Sequence, residues 1–227
     1  MKFKILILSL ASFLTLSNAQ AQKGKWVSLF DGKTTNGWHT YGKTTVSDLW
    51  KVTDETLTLD PTVKEGRGDI VTDESFDDFH LQLEWKISKN GNSGIIFFVQ
   101  DNKDKFANTW FTGPEMQVLD NDGHPDGKIT KHRAGNLYDL VAGVEGADKP
   151  VGEWNKVDII NKKGTLTLKL NGVTTVTTTV GDENWATLIK GSKFAKMNDF
   201  GKVVSGHIGL QDHGDAVSFR NIRIRRL

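Results

Sequence analysis

The chain has 227 residues, with 29 Lys and Arg against 28 Asp and Glu, a net charge of +1 and no cysteine. Balanced charge argues against nucleic acid or another polyanion as partner, and the missing thiols exclude disulfides and attachment through a lipobox. Seven Trp and twelve Phe supply apolar area for a sizeable core.

Residues 1–21 read as an export signal. Lys2 and Lys4 precede an apolar run from Ile5 to Leu16, and Ala19-Gln20-Ala21 has the small-x-small cleavage pattern. The run is too short to span a bilayer and no charged stop follows it, so no membrane span is predicted. The mature chain, 22–227, suits one domain in the periplasm or outside the cell.

Downstream, Leu57 and Leu59 begin an alternation. It becomes strict in Phe79 to Ile87, where Phe79, Leu81, Leu83, Trp85 and Ile87 interleave with His80, Gln82, Glu84 and Lys86. Period two is the mark of a strand with one buried face. Gly94 to Val99 is continuously apolar, as for a strand covered on both faces. Leu166, Leu168 and Leu170 lead into Asn171-Gly172 and then Val173 to Thr179. Asn-Gly between two β-rich runs predicts a hairpin, because both turn residues need positive φ. A short helix is predicted around Asn184 to Met197, weakened by Gly191. His207 to Gln211 and Ala216 to Leu227 read as closing strands. The basic Arg220 to Arg226 end alternates with apolar residues, so it is the wet face of the last strand. Many short strands and little helix predict an all-β sandwich or jelly roll of two antiparallel sheets.

One segment stands apart. Thr112 to Leu140 holds Glu115, Gln117, Asp120, Asp122, His124, Asp126, His132, Arg133, Tyr138 and Asp139. Such groups are costly to bury unpaired and are normally dispersed over the surface. On a strand, Glu115 and Gln117 share one face and Met116 and Val118 the other; a bulge near Val118-Leu119 would return Asp120 to the polar side. His124 and Asp126 together suit a divalent metal ion, although their spacing matches no tight ligand motif and a polar turn is equally ordinary. His132 and Arg133 precede Tyr138 on a loop. Ser93 stands at the mouth of the buried strand, Gln211 and His213 at a turn between the last two strands. Trp110 could stack on a sugar ring or belong to the core. No nucleophile elbow and no phosphate-binding glycine loop occurs.

The segments LFDGKTTNGW, GDIVTDESFDDFHLQLEWKIS, NSGIIFFV, TGPEMQVLDN, HPDG, HRAGNLYDL, GEWNKVDI, LNG and GHIGLQDHGDAVSFRNIRIR run in order over the mature chain. In these the chain resembles the 3-keto-disaccharide hydrolase family. The resemblance implies a concanavalin-A-like jelly roll and a small carbohydrate substrate, a glycoside already oxidised to a ketone at carbon 3. Such a ketone acidifies the carbon 2 hydrogen, so a base can form the enediolate, the aglycone leaves carbon 1, and water adds to the glycal. The chemistry needs a base, a positive group for the enolate oxygen and an acid for the leaving oxygen. His132 or Glu115 is expected as base. Arg133, or a divalent ion held by His124 and Asp126, is expected at the oxyanion. Tyr138 or Asp120 is expected as acid, with Gln117, Gln211, His213, Ser93 and Trp110 on the substrate. Two rivals share the fold: a retaining glycosidase using the Glu115-x-Gln117-x-x-Asp120 rhythm, and a non-catalytic carbohydrate-binding module.

Overall fold

The computed structural model describes residues 24–227, so the export signal lies outside the described residues. Thirteen strands occur among the described residues. They are β1 (Val27–Ser28), β2 (Trp38–Thr40), β3 (Trp50–Thr53), β4 (Thr56–Leu59), β5 (Ile70–Phe76), β6 (Phe79–Ile87) and β7 (Asn92–Val99). After them come β8 (Glu115–Leu119), β9 (Asn155–Lys162), β10 (Thr165–Leu170), β11 (Val173–Thr179), β12 (Gly206–Leu210) and β13 (Val217–Arg226). One sheet has eight strands in the order β11-β10-β9-β6-β13-β4-β3, with β1 also paired to β13. The other has five, in the order β2-β5-β12-β7-β8. Every pairing is antiparallel. Among the described residues, no helix is long and apolar enough to cross a membrane.

The alternation in β6 is realised residue by residue. Its five apolar side chains are buried and its four polar ones are partly exposed. Each fully buried Leu or Phe contributes about 1.5–3 kcal/mol of transfer free energy, so a one-residue register slip would be prohibitive. The inner faces of both sheets meet in one core built on Trp85, Phe79, Phe97, Phe98 and Phe219. The Asn171-Gly172 hairpin joins β10 to β11 with φ of 50° and 87°, as two positive-φ turn residues require. The arginines of β13 face the polar side of β6. Arg220 binds Glu84 at 2.7 Å and Arg223 binds Gln82 at 2.7 Å, which makes this basic end a paired sheet surface.

The helix, α1 (Glu183–Lys190), is shorter than the sequence suggests. Asp182 caps it by accepting from the Trp185 amide at 2.7 Å, and it stops at Gly191. The following residues through Phe200 leave the helical path and fold over β8. Strand β8 pairs with β7 in unbroken register, Asn92 with Leu119 through Ile96 with Glu115. The anticipated bulge at Val118-Leu119 is therefore absent, and Asp120 lies beyond the strand end.

Candidate active site

The outer face of the five-stranded sheet carries the site. Val118 and Met116 point into the core, so Glu115 and Gln117 point the other way. Gly94 lies beside them on β7, and the Glu115 side chain crosses it. A Cβ at Gly94 would fall on Glu115 Oε1 and within 2.6 Å of its Cδ, so the missing side chain is what lets the carboxyl lie along the sheet. A second, smaller apolar cluster of Tyr41, Val71, Ile96 and Val99 covers the neighbouring part of this face, with Trp110 packed against it.

A cavity of about 330 Å³ opens here, lined by Asn92, Trp110, Glu115, Gln117, Tyr138, Lys193, Phe194, Met197, Gln211 and His213. Two larger surface grooves lie elsewhere, one beside Asp120 and Arg133 and one beside Trp26 and Arg223. The smaller cavity is the one where a buried carboxyl, Glu115, meets the half-buried Tyr138 phenol and the exposed Lys193 ammonium, which is the better mark of chemistry.

Glu115 is the central group. Burial pushes its carboxyl up to about 8; the Lys193 ammonium pulls it down, Asp69 pushes it up, Gln211 lowers it and Asp126 raises it. Gln211 Nε2 donates to Glu115 Oε2 at 3.3 Å. Gln117 is fully buried, and its Nε2 has no partner, as does Asn92 Oδ1. Unpaired buried amides in a cavity wall are costly unless a ligand completes them. Tyr138 donates its hydroxyl to Asp126 Oδ2 at 3.1 Å, and burial, followed by the Asp126 charge, holds the phenol above its ordinary range. Lys193 Nζ lies 4.1 Å from the centre of the Tyr138 ring. Asp69, whose carboxyl burial pushes up to about 6, accepts from Thr109 Oγ1 and from the Asp212 amide behind the site.

Six of the anticipated residues share the cavity: Glu115, Gln117, Tyr138, Trp110, Gln211 and His213. Trp110 stacks on Phe111 with centroids 4.7 Å apart and presents a wall. The others are placed differently. Asp120 accepts from the amides of Asn90, Asp122 and Gly123, so it closes a turn and faces a different groove. It is no leaving-group acid here, and the two-carboxylate arrangement of a retaining glycosidase is lost with it. Arg133 is bound to the Gly127 carbonyl at 2.9 Å and to Glu145 at 3.0 Å, in that same groove, and does not line the cavity as an oxyanion group. Ser93 shares the inner face with Val118 and gives its hydroxyl to the Gln211 carbonyl, so it cannot meet a ligand.

His132 is not in the cavity either. Its ring stands behind Tyr138 at 4.4 Å, with Nε2 3.0 Å from Asp139 and Nδ1 3.3 Å from Asp126. It backs Tyr138 and is out of reach as a base. Asp126 belongs to this Tyr138–His132 network rather than to a metal pair with His124. His124 instead comes together with His213 and Asp215, one ligand atom of each lying within 4.8 Å of the others.

Lys193, Phe194, Met197 and Asn92 also line the cavity. Lys193 is set by a tertiary contact, its amide donating to Asp139 Oδ2 at 2.7 Å, and the only sequence signal for it was a helical segment broken by Gly191. Asn92, by contrast, directly precedes Ser93 at the polar mouth of the buried strand, which is its signal in the sequence.

Two packed antiparallel sheets, one carrying a cavity on its outer face, have the concanavalin-A-like sandwich fold seen in glucanases and carbohydrate-binding modules. At the level of fold, the catalytic domain of an endo-1,3-beta-glucanase (laminarinase) from Thermotoga petrophila superposes with a TM-score of 0.51 at 11% identity, over 91% of this chain and 97% of that one. Sequence is more specific. Residues 25–225 match the model of the 3-keto-alpha-glucoside-1,2-lyase-like domain. A 3-keto-disaccharide hydrolase of Bacteroides thetaiotaomicron is 38% identical over 227 aligned residues, 89% of this chain and 78% of that protein. A crystal structure from Parabacteroides distasonis, provisionally described as a glycosyl hydrolase, is 29% identical with a TM-score of 0.82, covering 89% of this chain and 94% of that one. The chain belongs to the 3-keto-alpha-glucoside-1,2-lyase-like domain family and is homologous to a carbohydrate-active hydrolase.

Proposed function

We propose that the protein cleaves 3-keto-glycosides by removing the carbon 2 proton, expelling the aglycone from carbon 1 and hydrating the resulting glycal. The observation that carries this reading is Glu115, a buried carboxyl held near pH 8 in a cavity that also contains a cation and a phenol. A base poised near the working pH combines an adequate ionised fraction with real proton affinity, which is what carbon acids demand. The relative named 3-keto-disaccharide hydrolase supports the substrate class.

In this reading Glu115 takes the carbon 2 proton as the enolate forms. The Lys193 ammonium, at the exposed rim of the cavity, faces the negative charge growing on the carbon 3 oxygen. Tyr138, whose phenol burial and the Asp126 charge hold above its ordinary range, lines the cavity and protonates the departing alkoxide as the carbon 1 bond breaks. At that point the carboxyl holds one extra proton and the phenol lacks one. Hydration reverses both transfers: the phenolate takes a proton from the water adding to carbon 1, and Glu115 returns its proton to carbon 2. The cycle closes with the protein unchanged. Gln117 Nε2 holds a sugar oxygen, and Trp110 offers a ring to the sugar face.

A chromogenic 3-keto-glucoside tests it. Wild-type protein should release the aglycone and exchange the carbon 2 hydrogen with solvent deuterium, and Glu115→Gln should lose about 10²–10⁴-fold in both. Full turnover by Glu115→Gln rules out this base. Binding with neither release nor exchange in the wild type would mean a sugar-binding module.

A further inference from the structure

We infer that His124, His213 and Asp215 form a binding site for a zinc-class divalent cation at the edge of the cavity. The three come from two distant stretches of chain. His124 follows β8, and His213 and Asp215 lie in the loop between β12 and β13. The imidazole centroids are 6.2 Å apart, edge towards face at 84°, and one ligand atom from each of the three residues lies within 4.8 Å of the others.

The arrangement is supported from behind. Asp215 Oδ2 accepts from the Asn92 backbone N–H at 3.0 Å, which fixes the carboxylate and leaves its other oxygen for an ion. Asn92 carries the second observation. It is only 3% exposed, its Oδ1 has no partner, and it lines the same cavity as His213. Its backbone is tied to the Asp215 carboxylate and its orphaned carbonyl oxygen lines the cavity with His213, where a positive partner would complete it. Arg67, which approaches the same loop at Gly214, is already neutralised by Asp212.

The donor set decides the ion. Two imidazoles and one carboxylate suit zinc and its first-row neighbours, whereas calcium and magnesium ask for oxygen shells. Metal–ligand bonds of about 2.0–2.2 Å bring tetrahedral ligands roughly 3.5 Å apart, so the 4.8 Å limit closes by a small rotation of His213, which is exposed. His124 Nδ1 accepts the Asp126 amide at 3.1 Å, so an ion on Nε2 moves the ring proton to Nδ1 and an ion on Nδ1 replaces the amide, and either way this turn-capping contact is given up. Three protein ligands leave a coordination position open towards the cavity. Any part the ion plays in polarising a sugar ketone rests on the reaction proposed above; the existence of the site does not.

Calorimetric titration of the untagged, chelator-stripped chain with zinc chloride decides the matter. One zinc per chain is expected, at least about 10-fold weaker in His213→Ala and in Asp215→Asn, with no comparable binding of magnesium. No zinc binding, zinc binding unchanged in both variants, or equal binding of magnesium overturns the site. Melting temperatures within a degree or two of wild type for the two variants confirm that lost affinity is lost coordination. Because the titration contains no sugar, a protein that binds zinc in this way yet leaves keto-glucosides intact refutes the reaction and not the site.

Discussion

Glu115 should make the fold less stable as pH rises through neutrality, and Glu115→Gln should remove its share of that dependence, leaving the smaller one of Asp69. The folded carboxyl holds its proton up to about 8, whereas an unfolded glutamate releases it near the ordinary 4.5. Between those values the native state binds more protons than the unfolded state, so stability falls as pH rises, by about 1.36 kcal/mol per unit. Over the roughly 2.5 units from 4.5 to 7 the wild type loses about 3 kcal/mol that the amide variant keeps. Below pH 4 this difference disappears; above about 8 it levels off. The amide preserves shape and can still accept from Gln211, so packing changes little. Urea unfolding of both proteins at pH 4, 5.5, 7 and 8 gives the comparison: the curves should coincide in acid and separate by about 3 kcal/mol at neutrality. Parallel pH profiles would refute the claim that this carboxyl is held protonated by burial. A variant that is more stable and inactive would carry the expected signature of a site paid for in stability.

Gly94→Ala would drive a methyl group into the Glu115 carboxyl; a loss of about 1–3 kcal/mol and at least about 10²-fold in aglycone release is expected, and an unaffected rate would show that the carboxyl need not lie across β7. Tyr138→Phe should slow release of an alkyl or sugar aglycone by about 10²-fold but scarcely affect a nitrophenol, which leaves without protonation; equal losses for both aglycones would remove Tyr138 as the acid. Lys193→Met takes away the charge that lowers the Glu115 carboxyl, so the acidic limb of the kcat/KM profile should move to higher pH, and an unmoved limb would separate Lys193 from Glu115. Ser93→Ala should leave turnover intact while costing about 1 kcal/mol for a buried hydrogen bond, measured by denaturant unfolding.

The sheets were legible wherever local pattern and burial coincide. Phe79 to Ile87 alternates because one face of β6 meets the core, Gly94 to Val99 is uniformly apolar because β7 is covered on both faces, and Asn171-Gly172 names its own turn. Half of the site was legible for the same reason: the period of two on β8 puts Glu115 and Gln117 on one face whatever surrounds them. The polar density from Asp120 to Asp139 was a true signal with a mixed meaning. Beyond the strand end no period governs side-chain direction, and hydrogen bonds to distant backbone sort the groups. Asp120 goes to a turn, Arg133 to the Gly127 carbonyl, His132 behind Tyr138, and Tyr138 alone into the cavity.

Residue type and alternation thus determined, without coordinates, the two-sheet class, the family likeness and the strand that bears the acid. Only the folded chain could decide that this acid is buried over Gly94 and keeps its proton to about pH 8, that Lys193 arrives from the segment after α1, and that His124 meets His213 and Asp215. Dielectric, proximity and desolvation belong to atoms brought together from remote parts of the chain, and a one-dimensional pattern carries no record of them.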